Sequence, residues 1–202
     1  KTQQYDLGIS FDNPHLLFRT RFSATIDGYF NLVKDKIVAF PNHNLFSWTM
    51  LNYGKVYIGG AEINLHADCA VHKGYLLQLW GNCTYQKAVD RTDPSGRTYN
   101  QQIPYTPEWS SSAGIGLQMP WLTITYSLIY CGDRYALGQN IPANLVAAYI
   151  DQSLTISHEV AVKDAKIGFK FELLNLGDVQ YEIVRNYPMQ GAGCRLKFYV
   201  AY

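Results

Sequence analysis

The chain has 202 residues, 48% of them hydrophobic, 14% aromatic and only 16% charged, against about 25% charge in ordinary soluble domains. A formal net charge of +1 excludes a nucleic-acid binder that relies on neutralising phosphates, and no apolar run approaches the ~20 residues of a membrane helix. The apolar and aromatic content also excludes disorder, which leaves a β-rich protein, soluble or embedded in a membrane.

Period-two alternation, the mark of strands with two unlike faces, runs through nine segments. The first, about 3–12, places Tyr5, Leu7, Ile9 and Phe11 on one face. The second, about 20–33, sets Phe22, Ala24, Ile26 and Phe30 against Arg21, Ser23, Thr25 and Asp27. The third, about 54–70, sets Ala61, Ile63, Leu65, Ala67 and Cys69 against Glu62, Asn64, His66 and Asp68. The fourth, about 75–88, carries Leu77, Leu79, Cys83 and Tyr85 opposite Gln78, Trp80, Asn82 and Thr84. In the fifth, about 109–119, Ala113, Ile115 and Leu117 oppose Ser112, Gly114 and Gly116. In the sixth, about 121–131, Leu122, Ile124, Tyr126 and Leu128 oppose Thr123, Thr125 and Ser127. The seventh, about 152–162, has Leu154, Ile156, Val160 and Val162 against Ser153, Thr155, Ser157 and Glu159. The eighth, about 166–175, has Ile167, Phe169, Phe171 and Leu173 against Lys166, Gly168, Lys170 and Glu172. The ninth, about 192–202, has Cys194, Leu196, Phe198, Val200 and Tyr202 against Arg195, Lys197 and Tyr199.

Most segments are about 10–14 residues long, whereas soluble strands run to about 5–6 and a tilted membrane strand needs about 9–11. Their polar faces hold full charges. The pattern predicts an all-β, antiparallel transmembrane β-barrel, apolar toward lipid and polar toward a wet lumen. Short turns are expected near Asn13-Pro14, His72-Lys73, Pro120 and Asp164, and long connections at about 34–53, 89–108, 132–151 and 176–191. Such barrels have short periplasmic turns and long extracellular loops, so the long connections are expected outside the cell. Nine strands is an odd count where single-chain bacterial barrels are even. The chain is therefore expected to be the C-terminal part of a larger barrel, or to pair with another chain, with its first and last strands as edges.

The runs DGYFNLVKDKIVAFPNHNLFSWTMLNYGKVYIGGAEINL (27–65), QIPYTPEWSSSAGIGL (102–117) and VRNYPMQGAGCRLKFYVAY (184–202) resemble the late barrel of TonB-dependent outer-membrane receptors of Bacteroidetes type. The vitamin B12, siderophore and haem branch is the nearest in pattern. The resemblance covers essentially the whole chain, 1–202, and implies the last nine strands of a 22-stranded barrel. It further implies an N-terminal plug and earlier strands on the same or a separate chain, and energy delivered by the TonB complex. Outer-membrane lipid and the barrel assembly machinery are the other implied partners. Leu196, Phe198, Val200 and the terminal Tyr202 resemble the C-terminal signature that this machinery reads; an ordinary lipid-facing strand has the same alternation.

Aromatics gather at segment ends: Phe46, Trp48, Tyr53, Trp109, Trp121, Tyr135, Tyr149 and Tyr187. An interfacial girdle is their default role. Trp48 and Tyr135 fall in the expected outer loops and are candidates to meet a ligand. His43 is the one histidine of an expected outer loop and a candidate for haem or metal capture. Glu62, His66 and Asp68 share a polar face but spread over ~20 Å, which suits a lumen wall and not an active site. No nucleophile–base–acid set stands out, so no enzyme activity and no cofactor are expected. DRTDPSG (90–96) reads as a turn-rich loop tip. Cys69, Cys83, Cys131 and Cys194 have no metal-ligand spacing. A register through the 72–73 turn places Cys69 opposite about Leu76 and Cys83 opposite about Glu62, which predicts free thiols. His158 has lipid-facing parity with no evident reason for it. The alternatives are a small independent outer-membrane porin or adhesin, and a soluble β-sandwich binding module.

Overall fold

The computed structural model describes residues 1–16, 20–41, 47–163 and 165–201. Nine long strands form one antiparallel sheet in chain order: β1 (Thr2–Leu16), β2 (Thr20–Pro41), β3 (Trp48–His72), β4 (Tyr75–Asp90), β5 (Trp109–Gln118), β6 (Thr123–Cys131), β7 (Tyr149–Val162), β8 (Ala165–Leu174) and β9 (Gly193–Ala201). β1 and β9 are its two edges. All nine alternating segments are strands. Two small ladders, Arg134–Tyr135 with Leu145–Val146 and Glu182–Val184 with Tyr187–Pro188, lie in the connections.

The pairing register keeps the two faces distinct across the sheet. One row reads Arg21, Asp68, Gln78, Gly116, Thr125, Thr155, Glu172, Arg195 from β2 to β9. The adjacent row reads Phe22, Ala67, Leu79, Ile115, Tyr126, Leu154, Leu173, Cys194. A slip of one residue at any ladder would have mixed these rows. The apolar face is uncovered: Leu7, Ile9 and Phe198 are 79%, 74% and 77% exposed. A sandwich would bury such a face under a second sheet; this one is suited to lipid. Aromatic pairs mark both ends of the face. Phe30–Tyr57 (5.9 Å) and Tyr85–Trp109 (4.8 Å) lie toward the long connections, Phe11–Phe22 (6.2 Å) and His158–Phe169 (5.8 Å) toward the short turns. His158 thus has its reason: its Nδ1 meets the Trp121 carbonyl in the turn between β5 and β6.

Three expectations need correction. Most of the 34–53 segment is strand, since β2 and β3 stay paired from Lys34↔Lys55 to Pro41↔Trp48. This hairpin arm outruns β4, whose ladder stops at Val56↔Asp90, by eight pairs' length or about 27 Å. The charged Lys34-Asp35-Lys36 run and Pro41 had broken the alternation. Asp35 adopts φ 56°, a left-handed conformation that Asp tolerates better than most residues, and Gly54 stands across from it. The faces exchange at this kink, so that Val33 and Val38 of β2, and Val56 and Tyr53 of β3, all pack on one core. Tyr53 is therefore 3% exposed and belongs to no girdle. Finally, the β3–β4 register is one residue off the expectation, with Cys69 opposite Leu77 and Cys83 opposite Ile63. The bulge between Ala70 and His72 causes the shift. The two cysteines still do not face each other, and all four thiols are free.

Three close cross-strand pairs shape the polar face. Tyr29 faces Gly60, Trp80 faces Gly114 and Tyr199 faces Gly168. A Cβ on Gly114 would stand 2.1 Å from the Trp80 ring, and one on Gly168 2.4 Å from that of Tyr199. Each ring lies across the bare glycine of the next strand.

The face assignment is testable. Phe169 lies on the apolar face between His158 and Phe198, while its neighbour Lys170 lies on the polar face. A lipid-facing arginine costs about 2–4 kcal/mol at the bilayer midplane. Phe169→Arg is expected to cut the yield of folded, heat-modifiable barrel severalfold, with Lys170→Ala close to wild type. Equal effects in a gel-shift assay of the outer-membrane fraction would refute the assignment.

Candidate functional site

Two features stand out: a polar face hydrogen-bonded along the strands and a folded cap at its long-connection end. On the polar face, Asn82 Nδ2 donates to Glu62 Oε1 (3.1 Å) and Asn64 Oδ1 (2.9 Å), while Asn64 Nδ2 donates to Glu62 (3.0 Å) and Thr25 (3.2 Å). His66 Nε2 lies 3.2 Å from Asp68, which also accepts from Gln78 at 3.3 Å. Glu62 is thus bound into one amide cluster, and His66 with Asp68 into another. A shallow depression of about 220 Å³ between Ser23, Asn64, His66, Trp80 and Asn82 follows β2–β4. Farther along, Glu172 takes Lys170 at 2.9 Å and Arg195 at 2.6 Å, which neutralises a nearly buried carboxylate on the β8–β9 ladder. Among the described residues no group of three or more His, Cys, Asp and Glu could hold a metal ion.

The cap is built from three connections that grip one another. Residues 101–103 continue the β4 ladder: the Asp90 N–H donates to the Gln101 carbonyl (3.0 Å) and the Ile103 N–H to that of Ala88 (2.9 Å). Ile103 completes a core with Tyr53, Val56 and Ala88. The Asp90 carboxylate accepts from the Thr92 N–H (2.8 Å) and the Thr98 hydroxyl (2.6 Å). Burial, and then the Asp90 charge, push the Tyr53 hydroxyl up to about 12. The second connection joins the first where the Asn140 N–H donates to Gln101 Oε1 (2.6 Å) and the Tyr105 N–H to the Tyr135 carbonyl (2.8 Å).

Arg134 ties the second connection to the third. It is 3% exposed, donates to the carbonyls of Ala147 (3.4 Å), Glu182 and Ile183 (3.2 Å), and sits 5.5 Å over the Tyr149 ring. Tyr149 stacks on Tyr181 at 4.0 Å, and the Tyr181 hydroxyl donates to Asp151 at 2.7 Å. Burial first, then that bond, raise the Tyr181 hydroxyl above its ordinary range. Asn175, 2% exposed, closes the third connection, with its amide donating to the carbonyls of Val179 and Gln190.

The candidates named from sequence fall in different places. Trp48 begins β3 at the far end of the hairpin arm, paired with Pro41 and 54% exposed; it is a strand residue and not a loop one. Tyr135 is half-buried in the cap, opposite Leu145. His43 and Tyr202 lie outside the described residues. Leu196, Phe198 and Val200 stand on the apolar face opposite Phe171, Phe169 and Ile167. The cap residues Asp90, Arg134, Asn175 and Tyr181 escaped sequence reasoning because they fall in aperiodic stretches. The one signal was the run of turn formers beginning DRTD, where Asp90 and Asp93 each bond a residue two places on.

Arg134 carries a specific expectation. A hydrogen bond to a charged group contributes about 1.5–3 kcal/mol, so Arg134→Met should loosen the cap. Amide exchange at 144–148 and 181–184 is expected to rise at least tenfold, with exchange in β5 and β6 unchanged. Wild-type protection of both loops in that variant would show that Arg134 does not bridge them.

Comparison with known proteins gives a consistent answer. Among solved structures, the chain resembles the ferric citrate transporter FecA (TM-score 0.70, 15% identity, covering 98% of this chain and 30% of that one). It also resembles BauA, the ferric preacinetobactin receptor from Acinetobacter baumannii (TM-score 0.68, 16% identity, 98% and 29%), and the copper transporter OprC (TM-score 0.67, 14% identity, 98% and 30%). The chain thus spans about three-tenths of the length of these structures, and at such identities they establish the fold alone. A search of curated proteins returns no match. The family described as "TonB dependent receptor-like, beta-barrel" matches residues 1–177, and the chain belongs to that family.

Proposed function

We propose that residues 1–202 form the C-terminal part of a barrel that imports a scarce nutrient across the outer membrane, in the siderophore, haem or cobalamin branch of Bacteroidetes type. The observation that carries this reading is the folded cap at one end of a continuous polar face, in a chain of this family. A polar face lined by amide clusters suits a lumen that must hydrogen-bond a removable plug, and a cap at the long-connection end suits a surface that meets ligand first. FecA, BauA and OprC are receptors or transporters for ferric citrate, ferric preacinetobactin and copper, so a metal or its chelate is the favoured cargo. In this reading the earlier strands pair with β1 and β9, the plug sits in the lumen, TonB supplies energy through the plug, and the assembly machinery reads Leu196, Phe198, Val200 and Tyr202. His43, Trp48 and Tyr135 are the ligand-facing candidates, and Glu62, His66 and Asp68 line the lumen. Transport needs no bond made or broken by the barrel, so the proposed role is not enzymatic.

Two measurements test this. A cysteine replacing Ser95 in a variant without the four native cysteines should react with an impermeant maleimide on whole cells, and one replacing Lys73 should not; the reverse pattern would invert the orientation. Cells whose only receptor carries this chain should take up one of ferric siderophore, haem or cobalamin, and an uncoupler should abolish the uptake. Failure to take up any of the three would overturn the nutrient-import reading.

A further inference from the structure

We propose that the β2–β3 hairpin arm docks an extended, acidic segment of an extracellular protein, which adds as a strand to the uncovered edge of β3 at residues 48–53. The proposal goes beyond nutrient import and takes from that reading the membrane orientation alone.

The arm has an open edge. Among the described residues, no strand beyond Val56↔Asp90 pairs with β3 on the side that β4 occupies lower down. The first connection closes that side at the base of the arm, where the Lys55 N–H donates to Thr92 Oγ1 (3.1 Å) and the Lys55 carbonyl accepts from the Arg91 N–H (2.8 Å). The side chains beside this edge are apolar. Ile37, Ala39, Met50 and Trp48 share one side of the arm through the pairs Ile37↔Asn52, Ala39↔Met50 and Pro41↔Trp48, and Met50 and Ile37 are 72% and 65% exposed. No Asp, Glu, Lys or Arg interrupts the sequence from 37 to 54, whereas the edges of natural sheets are commonly blunted by charged side chains. The base of the arm is basic: the hairpin 34–55 carries Lys34, Lys36 and Lys55 against Asp35 alone. Among the described residues none of these lysines has a carboxylate within ion-pair distance.

Height decides between lipid and protein as the cover. From His72 at the short turn, β3 climbs to Lys55 over about 57 Å of strand, or about 40 Å of height at a 45° tilt. A bilayer with its headgroups measures about 40–45 Å. The apolar strip beyond Lys55 therefore stands in water, out of reach of lipid, where a contiguous apolar surface marks a protein contact. An open backbone edge beside apolar side chains is the arrangement that strand addition uses: main-chain hydrogen bonds give affinity and alternate side chains give specificity. The lysines at the base set the charge of the occupant, because opposite charges stabilise a cross-strand pair and like charges destabilise it. A second copy of the arm would bring an equally basic hairpin to the contact, so the occupant is a different, acidic chain.

The test uses the full receptor carrying this chain, purified in detergent, with fluorescent synthetic peptides followed by anisotropy. The probes are the acidic β-forming peptide EVTVTVE, its basic counterpart KVTVTVK, and EVTVTVE with every backbone amide N-methylated, which keeps its side chains and charges but cannot donate to a strand. EVTVTVE is expected to bind at least tenfold more tightly than either of the others. The variant W48S/M50S should weaken that binding at least tenfold, and K34Q/K36Q/K55Q should bind EVTVTVE and KVTVTVK alike. Both should keep heat-modifiable migration, and K73Q/K163Q at the short-turn end should behave as wild type. Equal binding of the acidic and basic peptides by the wild type, undiminished binding of the N-methylated peptide, or undiminished binding of EVTVTVE by W48S/M50S would overturn the proposal. So would a receptor that sediments as a dimer in the wild type and as a monomer in W48S/M50S, which would assign the edge to a second copy. Labelling of a cysteine replacing Asn52 on whole cells, in a variant without the four native cysteines, separates this proposal from the orientation. A labelled receptor without peptide discrimination sinks only the docking site; an unlabelled one sinks the orientation and the site together.

Discussion

The two-faced sheet of this chain depends on the alternation of side chains along strands held in a common register. Because the period is two, the register of each ladder decides which face every residue occupies. Eight consecutive ladders agree, and a polar row runs beside an apolar row from β2 to β9. Cross-strand neighbours on the polar face then find each other without long-range design. Glu172 meets Arg195 because their strands pair there, and Asn64 meets Asn82 for the same reason. With few buried apolar residues to enforce it, the face separation itself is the organising force, since lipid and water each reject the wrong side.

Among the described residues, the buried apolar core lies where the alternation fails. At Asp35 and Gly54 the arm exchanges its faces, and Tyr53, Val56, Ala88 and Ile103 close on one another. Above this level the chain behaves as a small globular unit. Its connections are held by two short ladders, by buried hydrogen bonds and by the Arg134 guanidinium. The molecule therefore combines two stabilities: a sheet fixed by its surroundings and a cap fixed by its own contacts. Cap and sheet can respond differently to the same substitution, as expected where stability is not uniform.

The nine strands were legible from the sequence because a two-faced strand of ten residues repeats its signal many times. The polar and apolar assignments of Glu62, His66, Asp68, Phe169 and Lys170 followed from the same count. Legibility ended at local exceptions. The Lys34-Asp35-Lys36 run concealed a continuing hairpin, because one left-handed residue restores the pairing while inverting the pattern. The bulge between Ala70 and His72 displaced the cysteine register by one, and no periodicity encodes a bulge. The cap was illegible for a different reason. Arg134, Asn175 and Tyr181 act through backbone carbonyls and partners tens of residues away, and such pairings leave no trace in local composition.

The rings of Tyr29, Trp80 and Tyr199, each lying on a neighbouring glycine, govern how thick the wall is. An aromatic side chain standing upright on the polar face would project its full length into the space beside it. Laid flat, it adds only the thickness of a π-system, and it offers a broad, slightly polarisable plane in place of an edge. The bore of any closed barrel that contains these strands is thereby widened locally without changing the number of strands. A body sliding along this face meets smooth panels between tethered amides, a texture that offers it few footholds. Three glycines, which contribute nothing of their own to packing, in this way set the clearance available to whatever passes.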